Sequence, residues 1–203
     1  GKMVAALRGL GFDKVFDTDF GADLTIMEEA SEFLDRLTRH LDGDTSVKLP
    51  ILTSCCPAWV NFFEHNFSDL LDVPSTSKSP MQMFSAVVKN VYAQELGVDR
   101  KNLVVVSVMP CLAKKYEASR DEFSIGNDYD TDIVLSTREL AKLIKQYNIE
   151  FNLLKDEEFD NPLGESTGAS IIFGRTGGVI EAALRTAADW YTKEDLQDID
   201  YTQ

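Results

Sequence analysis

Three cysteines are the residues whose type and spacing most readily support chemistry in this chain. Cys55 and Cys56 are adjacent, and Cys111 is the third. A disulfide between neighbours is strained, because one trans peptide holds the two Cα atoms closer than relaxed disulfide geometry requires. Adjacent side chains also tend to diverge, so both thiolates rarely bind one metal ion. The pair therefore favours two thiols with two separate roles.

Each of the three cysteines follows a predicted strand and lies beside a proline. The strands are residues 49–53 and 103–109. In parallel α/β sheets, ligands bind outside the carboxyl ends of the strands, where the next helices direct their free N–H groups. Thiolates gathered there could hold an anionic iron–sulfur cluster. Lys114 adds a positive charge close to Cys111.

Structural, zinc-binding and redox roles fit the three cysteines less well. One buried cysteine alone would behave as a small hydrophobe. A zinc site is disfavoured because there is no Cys-x-x-Cys pair, and His40 and His65 lie on predicted helices without ligand spacing. A thiol redox enzyme is disfavoured because a dithiol motif is missing. The glycines of 173–179 lack the Walker lysine and the dinucleotide-binding spacing, so they predict the entry of a helix.

Helical and extended patterns alternate along the chain and predict an α/β fold with parallel sheets flanked by helices. A strand, cysteine and proline, and helix recur at 50–65 and 103–118, which two similar lobes would explain. The apolar run at 103–109 is typical of a strand buried on both faces. The predicted helices are 2–11, 23–41, one starting at Pro57, 79–96, 137–147 capped by Ser136 or Thr137, and one after the glycine turn. The predicted extended segments are 14–17, 49–53, 103–109 and 132–135.

Bulk composition excludes several classes of function. The net charge of −14 over 203 residues argues against nucleic acid and anionic membranes as partners. No apolar run approaches the roughly 18 residues of a membrane span. An odd number of cysteines is no disulfide framework and favours the reducing cytoplasm. Because residues 1–12 read as the middle of a helix, we expect a fragment whose N- and C-terminal parts are missing.

Two motifs identify a resemblance. TSCCPAW (53–59) and MPCLAKKYEASR (109–120) resemble the first two signature motifs of the iron-only (FeFe) hydrogenases. The resemblance extends over FGADLTIMEEASE (20–32), SKSPMQMF (77–84), STRELAKLIK (136–145) and GASIIFGRTGGVIEAALR (168–185). It implies the iron-only hydrogenase large-subunit fold, with about 1–48 in one lobe, about 49–175 in the other and about 176–203 returning to the first.

The resemblance also implies a cofactor and a reaction. The family carries the H-cluster, a four-iron cubane linked to a two-iron unit with carbonyl, cyanide and dithiolate ligands, and interconverts dihydrogen with protons and electrons. Cys56 and Cys111 match cubane ligands, and Cys55 matches the thiol that exchanges protons with the two-iron unit. Lys114 matches the lysine that binds a cyanide. The other positions around that unit are Met81, Met109, Pro110 and Phe173.

A proton route is implied in the same way. Glu29, Glu32 and Arg36 lie at i, i+3 and i+7 and share one helical face. Pattern alone indicates a solvated face with an i,i+4 Glu–Arg pair. By resemblance, Glu29 and Glu32 match relay carboxylates, and Ser75 matches the relay serine between them. Arg36 matches a residue near the exit. Stepwise proton transfer requires such a chain of groups.

Departures from the family limit what the fragment does. The family needs four cubane cysteines and this chain has two, so we expect the fragment alone to be inactive. Met81 stands where the family has a glutamine, which predicts the loss of an amide donor. The implied partners are ferredoxin or a similar electron carrier and the maturation proteins of the two-iron unit. Two alternatives remain: an iron–sulfur assembly scaffold of the Nar1/Narf type, whose members usually lack the Cys55 equivalent, and a sensory hydrogenase.

Overall fold

The computed structural model describes residues 1–161, 163–164 and 166–194. Its helices are α1 Lys2–Gly9, α2 Asp19–Leu41, α3 Pro57–Asn66, α4 Pro80–Val87, α5 Ala93–Glu95, α6 Ala113–Ala118, α7 Thr137–Gln146, α8 Gly168–Phe173 and α9 Gly178–Thr192. A π-helical turn, Val88–Tyr92, joins α4 to α5. The strands are β1 Val106–Met109, β2 Ser124–Ile125, β3 Asp128–Tyr129 and β4 Ile133–Ser136. The predicted α/β class is confirmed.

The chain divides into two compact units. Unit 1 comprises the described residues of Gly1–Thr18 and Phe84–Glu165, and unit 2 those of Asp19–Met83 and Ser166–Gln203. These units divide the chain at positions other than the predicted lobe boundaries near 48 and 175. Residues 195–203 of the last predicted segment lie outside the described residues.

A parallel pair of strands forms the centre of unit 1. β1 pairs with β4 from Val106–Ile133 to Met109–Ser136. β4 leads directly into α7, whose start is held by a capping box: the Ser136 hydroxyl accepts from the Glu139 N–H, and the Glu139 carboxylate accepts from the Ser136 N–H at 2.7 Å. The predicted cap at Ser136 is thus confirmed.

The prediction that 103–109 is a strand buried on both faces is wrong in extent and in burial. β1 covers only Val106–Met109, and its residues are half-buried. Val104 is 67% exposed. The physical reason is that β1 pairs with one neighbour in this sheet, and a two-stranded sheet covers less of each face than a larger parallel sheet does.

Unit 2 is built around the long helix α2. α2 contacts both α8 and α9, and its buried face carries small and apolar side chains, Ala22, Ile26 and Ala30. At the start of α9, a Cβ on Gly178 would lie 1.8 Å from the Ile172 carbonyl oxygen. The glycine run therefore allows α9 to begin close to α8, which agrees with the predicted helix entry.

Two predicted extended segments form no strand. In 49–53, only Leu52 pairs, through an isolated parallel bridge to Pro74. The chain leaves this bridge because Cys56 already caps α3 and Pro57 is the first residue of that helix, as predicted. In 14–17, Val15 bonds instead to Asp160, through its N–H to the carboxylate at 2.9 Å and its carbonyl to the Asp160 N–H at 2.8 Å.

A buried lysine ties together three elements of unit 1. Lys89 lies in the π-helical turn and its side chain is only 1% exposed. Its Nζ is 3.0 Å from the Asp128 carboxylate and 2.9 Å from that of Asp132. Asp132 also accepts the Val105 N–H at 2.7 Å, immediately before β1. The ammonium group therefore links the helix, β3 and the approach to β1.

Replacing this lysine should unfold the chain more easily. We expect Lys89→Met to lower the free energy of unfolding by about 1.5–3 kcal/mol, because Asp128 and Asp132 each lose a charge-assisted hydrogen bond. Asp128 keeps its ion pair with Arg100 at 2.6 Å, which limits the loss. Urea denaturation measures this quantity. The matched control is Lys101→Met, whose side chain is 70% exposed beside Asp99, and which should cost under about 1 kcal/mol. Equal effects of the two substitutions would contradict the assigned role of Lys89.

Candidate functional site

The two adjacent cysteines occupy different environments in unit 2. None of the three cysteines forms a disulfide; Cys55 is half-buried, and Cys56 is exposed. Cys56 is the N-cap of α3, with an extended backbone at φ −97° and ψ 106°. The pair thus lies between the Leu52 bridge and the first turn of a helix. The two thiols differ in solvent access, as expected of diverging neighbours.

Glu29 is a buried acid on α2. It is 3% exposed, and neither carboxylate oxygen has a hydrogen-bond partner among the described residues. Burial raises the pKa of Glu29 to about 7, and the negative charge of Glu32 adds to the rise. The nearby Ser75 hydroxyl and Ser54 backbone N–H offset part of it. Glu29 is therefore poised to gain or lose a proton near neutral pH.

A small cavity beside Glu29 explains why its charged form is disfavoured. The cavity measures about 10 Å³, roughly the space that the centre of one water molecule needs. Its walls are mostly aliphatic and aromatic, so they cannot solvate a carboxylate. The lining residues are Glu29, Phe33, Ile51, Thr53, Ile180, Ala183 and Leu184.

Glu32, one turn further along α2, is fully engaged. It accepts from the Ser75 hydroxyl at 2.8 Å, from Arg36 Nη2 at 2.6 Å and from the Thr76 N–H at 3.0 Å. The i,i+4 Glu–Arg pair is therefore present as the pattern predicted. The solvated face is not, because the two side chains are only 15% and 12% exposed.

Arg36 anchors the segment that carries Ser75. Its guanidinium donates to the carbonyl oxygens of Asp72 at 3.1 Å, Val73 at 3.0 Å and Pro74 at 3.0 Å. Because the same guanidinium binds Glu32, the segment before Ser75 is held against α2. This contact fixes where the Ser75 hydroxyl meets the carboxylates.

Ser54 is a candidate site residue that the sequence pattern did not indicate. Its hydroxyl donates to the Ser75 carbonyl at 2.7 Å, and its backbone N–H lies near Glu29. A serine before a cysteine pair has no periodicity that would distinguish it. The only sequence signal was its position next to Cys55.

Unit 1 carries the second cysteine motif. Met109 ends β1, Pro110 and Cys111 follow exposed, and α6 begins two residues later. Lys114 Nζ lies 2.7 Å from the Glu117 carboxylate, with the two side chains 12% and 5% exposed. The sequence analysis did not single out Glu117, although i,i+3 spacing is a signal for such a pair.

The predicted cofactor contacts of unit 2 are more enclosed. Met81 is 2% exposed and Gln82 0% exposed, both in the first turn of α4. Gln82 brings a buried amide into the same turn, and the loss of an amide donor at Met81 itself stays a prediction. Phe173 ends α8 and is half-buried.

The structure therefore distributes the predicted site residues over both units. No group of three or more His, Cys, Asp or Glu side chains is arranged to hold a metal ion within the part of the chain that the structure describes. Unit 2 holds Glu29, Glu32, Arg36, Cys55, Cys56, Ser75, Met81 and Phe173, and unit 1 holds Met109, Pro110, Cys111 and Lys114.

Comparison with known proteins gives a consistent result. The family described as "Iron only hydrogenase large subunit, C-terminal domain" matches residues 1–203. The chain is 70% identical over 201 residues to the NADP-reducing hydrogenase subunit HndD of Solidesulfovibrio fructosivorans, covering 99% of this chain and 34% of that protein. It is 48% identical to iron hydrogenase 1 of Clostridium pasteurianum, covering 100% of this chain and 34% of that protein.

A solved structure and a second class of relative complete the comparison. The FeFe-hydrogenase HydA1 from Chlamydomonas reinhardtii, in a variant form, superposes with a TM-score of 0.86 at 45% identity, covering 100% of this chain and 49% of that one. Protein NAR1 of Arabidopsis thaliana is 34% identical, covering 92% of this chain and 43% of that protein. The chain thus spans about a third to a half of the length of the proteins it matches.

Among the described residues, no helix is both long enough and apolar enough to cross a membrane.

The buried acid should make stability depend on pH in a defined direction. The folded pKa of Glu29, about 7, lies above the ordinary 4.5, so the folded state binds more protons in this window. The free energy of unfolding of the wild type, relative to Glu29→Gln, should therefore fall as pH rises from about 4.5 to 7, by on the order of 3 kcal/mol.

Urea denaturation at several pH values measures this difference. The matched control is Glu28→Gln, the exposed neighbour on the same helix, whose curve should run parallel to that of the wild type. A Glu29→Gln curve that also stays parallel to the wild type would show that the Glu29 carboxyl is not desolvated.

Proposed function

The chain belongs to the family of the iron-only hydrogenase large subunit, C-terminal domain, and we propose that it is part of an FeFe hydrogenase. The proposed reaction interconverts dihydrogen with two protons and two electrons. The observation that carries the proposal is Glu29, a buried acid with a pKa of about 7, in the unit that also holds Cys55 and the Ser75–Glu32 hydrogen bond. Interconversion of dihydrogen and protons needs a chain of proton-exchanging groups, because each turnover moves protons between a buried centre and solvent.

Two thiols of this chain fit the family's H-cluster in chemistry. Cys56 and Cys111 are free and exposed, and thiolates are the ligands of iron–sulfur cubanes. Four thiolates complete a cubane, so we expect loading and turnover to need the rest of the protein. When bound, the cluster would supply the electrons and the site at which dihydrogen is split or formed.

The remaining cofactor contacts are assigned by chemistry. Lys114 would offer its ammonium to an anionic ligand of the two-iron unit, a charge-assisted hydrogen bond. Glu117, 2.7 Å from Lys114 Nζ, would hold that side chain in place. Apolar surface that excludes water from the two-iron part of the cofactor would come from Met109, Pro110, Met81 and Phe173.

We assign the proton route to residues of unit 2. The Cys55 thiol would take a proton from the cofactor side and pass it to the Glu29 carboxylate. Glu29 would transfer it through the Ser75 hydroxyl, which already donates to Glu32 at 2.8 Å. A carboxyl whose pKa is near 7 can accept and release protons with little driving force in either direction.

Arg36 would complete the route without carrying the proton itself. A guanidinium stays charged at any relevant pH, so it cannot act as a relay. Its 2.6 Å bond to Glu32 and its bonds to the carbonyls before Ser75 fix the two relay groups relative to each other. We infer that protons leave at Glu32, at the end of this ordered path.

An assembly scaffold is the second candidate function. Several relatives at 32–36% identity are named as iron–sulfur assembly factors or as NAR1. The 70% identity to a hydrogenase subunit and the presence of Cys55 favour the hydrogenase. A sensory hydrogenase remains a further alternative function. We also propose a ferredoxin or similar electron carrier and maturation proteins as partners, and a cytoplasmic location.

Cys55 should matter for turnover and not for metal binding. In the complete protein containing this chain, we expect Cys55→Ala to leave iron content unchanged and to lower hydrogen evolution by at least about 100-fold, the usual contribution of a positioned proton donor. Iron analysis and gas chromatography measure the two quantities. Normal evolution in the variant would remove Cys55 from the proton route.

Cys111 should behave in the opposite way. We expect Cys111→Ser to lower bound iron, because a hydroxyl is a poor substitute for a thiolate ligand of a cubane. Iron and acid-labile sulfide, with the electron paramagnetic resonance spectrum of the reduced protein, measure the loading. Unchanged cubane loading would contradict the ligand role. The control is Ser119→Ala, which changes an exposed serine a few residues further along the chain.

A further inference from the structure

Ser54 joins the cysteine segment to the relay segment of unit 2. The parallel bridge between these segments ends with the Ser75 N–H donating to the Leu52 carbonyl at 2.7 Å. Beyond this point the Ser54 hydroxyl continues the link, donating to the Ser75 carbonyl at 2.7 Å. The Ser77 carbonyl lies 3.4 Å from the same hydroxyl. One side chain thus bridges the segment at the position where the backbone ladder stops.

The Ser75 hydroxyl depends on this backbone position. It donates to Glu32 at 2.8 Å and accepts the Ser77 N–H at 3.1 Å. A hydroxyl passes a proton only if one partner donates to it and another accepts from it. The orientation of the Ser75 hydroxyl therefore depends on the residues that hold the Ser75 backbone in place. Ser54 donates its one hydroxyl proton to the Ser75 carbonyl at 2.7 Å and therefore fixes the backbone of the residue whose hydroxyl meets Glu32.

The same residue also approaches Glu29. The Ser54 backbone N–H lies near the Glu29 carboxylate, where it opposes the rise in the pKa of that group. The other charged group acting on Glu29 is Glu32 on the same helix. On α9, which packs against α2, Glu181 and Arg185 bind each other at 2.9 Å.

We propose that Ser54 is a positioning residue of the proton route: its hydroxyl holds Ser75 so that the relay hydroxyl stays between Glu29 and Glu32. This rests on the proposed function, because Ser54 acts only through relay groups. It differs from a purely structural role, in which the hydroxyl would stabilise the loop and any loss of turnover would follow loss of fold or of iron.

The test compares Ser54→Ala with Ser54→Thr, which keeps the hydroxyl, in the complete cluster-loaded protein. Ser124→Ala is the matched control, because the Ser124 hydroxyl also donates to a backbone carbonyl, that of Asp121 at 2.8 Å, in unit 1. Four quantities are measured: iron content, melting temperature, turnover in H₂O and in D₂O, and the pH dependence of the Glu29 carboxylic-acid infrared band. The band is identified by its absence in Glu29→Gln.

We expect Ser54→Ala to keep iron content and melting temperature close to the Ser124→Ala control, while turnover falls by about 10-fold to 100-fold, as misplaced reacting groups do. The solvent isotope effect should rise, and the infrared midpoint of Glu29 should move to higher pH. Ser54→Thr, which keeps the hydroxyl, should show the wild-type turnover, solvent isotope effect and Glu29 infrared midpoint. Unchanged turnover, or a loss of turnover in proportion to lost iron or lost folding, would overturn the proposal.

Failure of the proposed function is distinguishable from failure of this inference. If Glu29→Gln keeps full turnover, the proton route itself is wrong. The infrared titration needs no turnover and can be made on the cluster-free complete protein. An unshifted Glu29 midpoint in Ser54→Ala would overturn the positioning role, whatever the catalytic assays show.

Discussion

A carboxyl group buried against an aliphatic wall is the constraint around which unit 2 is arranged. An ionised acid in such a place is costly, and the usual outcome is that its pKa rises until the neutral form dominates. The pKa of Glu29 reaches about 7 because the effect of burial is only partly offset by the Ser75 hydroxyl and the Ser54 N–H. Fewer nearby donors would keep the proton bound at neutral pH, and more donors would keep it away.

The surrounding contacts follow from this constraint. Glu32 has three donors where Glu29 has none within bonding distance among the described residues. Two carboxylates one turn apart on α2 therefore sit in opposite environments. Arg36 sets this contrast by pairing with Glu32 and by holding the carbonyls that precede Ser75. The result is a graded path from a dry acid to a hydrogen-bonded acid near solvent.

Much of the helical framework could be predicted from the sequence, because caps and periodicity are local signals. Ser136 with Glu139, and Pro57 after an extended residue, specify helix starts without tertiary information. The π-helical turn inside the predicted 79–96 helix could not be predicted, since it accompanies the placement of Lys89 between two distant aspartates. The predicted lengths of the strands were also wrong, because a strand forms only where a partner strand is present.

The site shows the same division between local and tertiary information. The spacing of Glu29, Glu32 and Arg36 predicted a shared face and an ion pair, and the pair is present. Pattern alone indicated the wrong environment for that face, because polar residues at helical spacing usually meet water. Burial of Glu29 depends on α9 and on residues 51–53, which lie far from it in sequence. Ser54 was missed because one hydrogen bond to a distant carbonyl leaves no trace in the pattern.

Family membership and the proton route support a hydrogenase to different degrees. Membership of the family rests on a match over residues 1–203, whereas the proposed proton route rests on contacts inside unit 2. An assembly scaffold could share the cysteine ligands, but it has no need of a relay that moves protons to a buried centre. Proton exchange at the cluster is therefore the property that separates the two functions.

The most direct measurement is hydrogen–deuterium exchange of dihydrogen in D₂O by the complete, reductively activated protein, followed by mass spectrometry. Exchange requires splitting of dihydrogen and passage of protons to solvent, and it needs no electron carrier. We expect HD and D₂ to form, and to form far more slowly in Glu29→Gln at equal iron content. A fully iron-loaded protein that forms no HD would contradict the account and identify the chain as part of a non-catalytic scaffold.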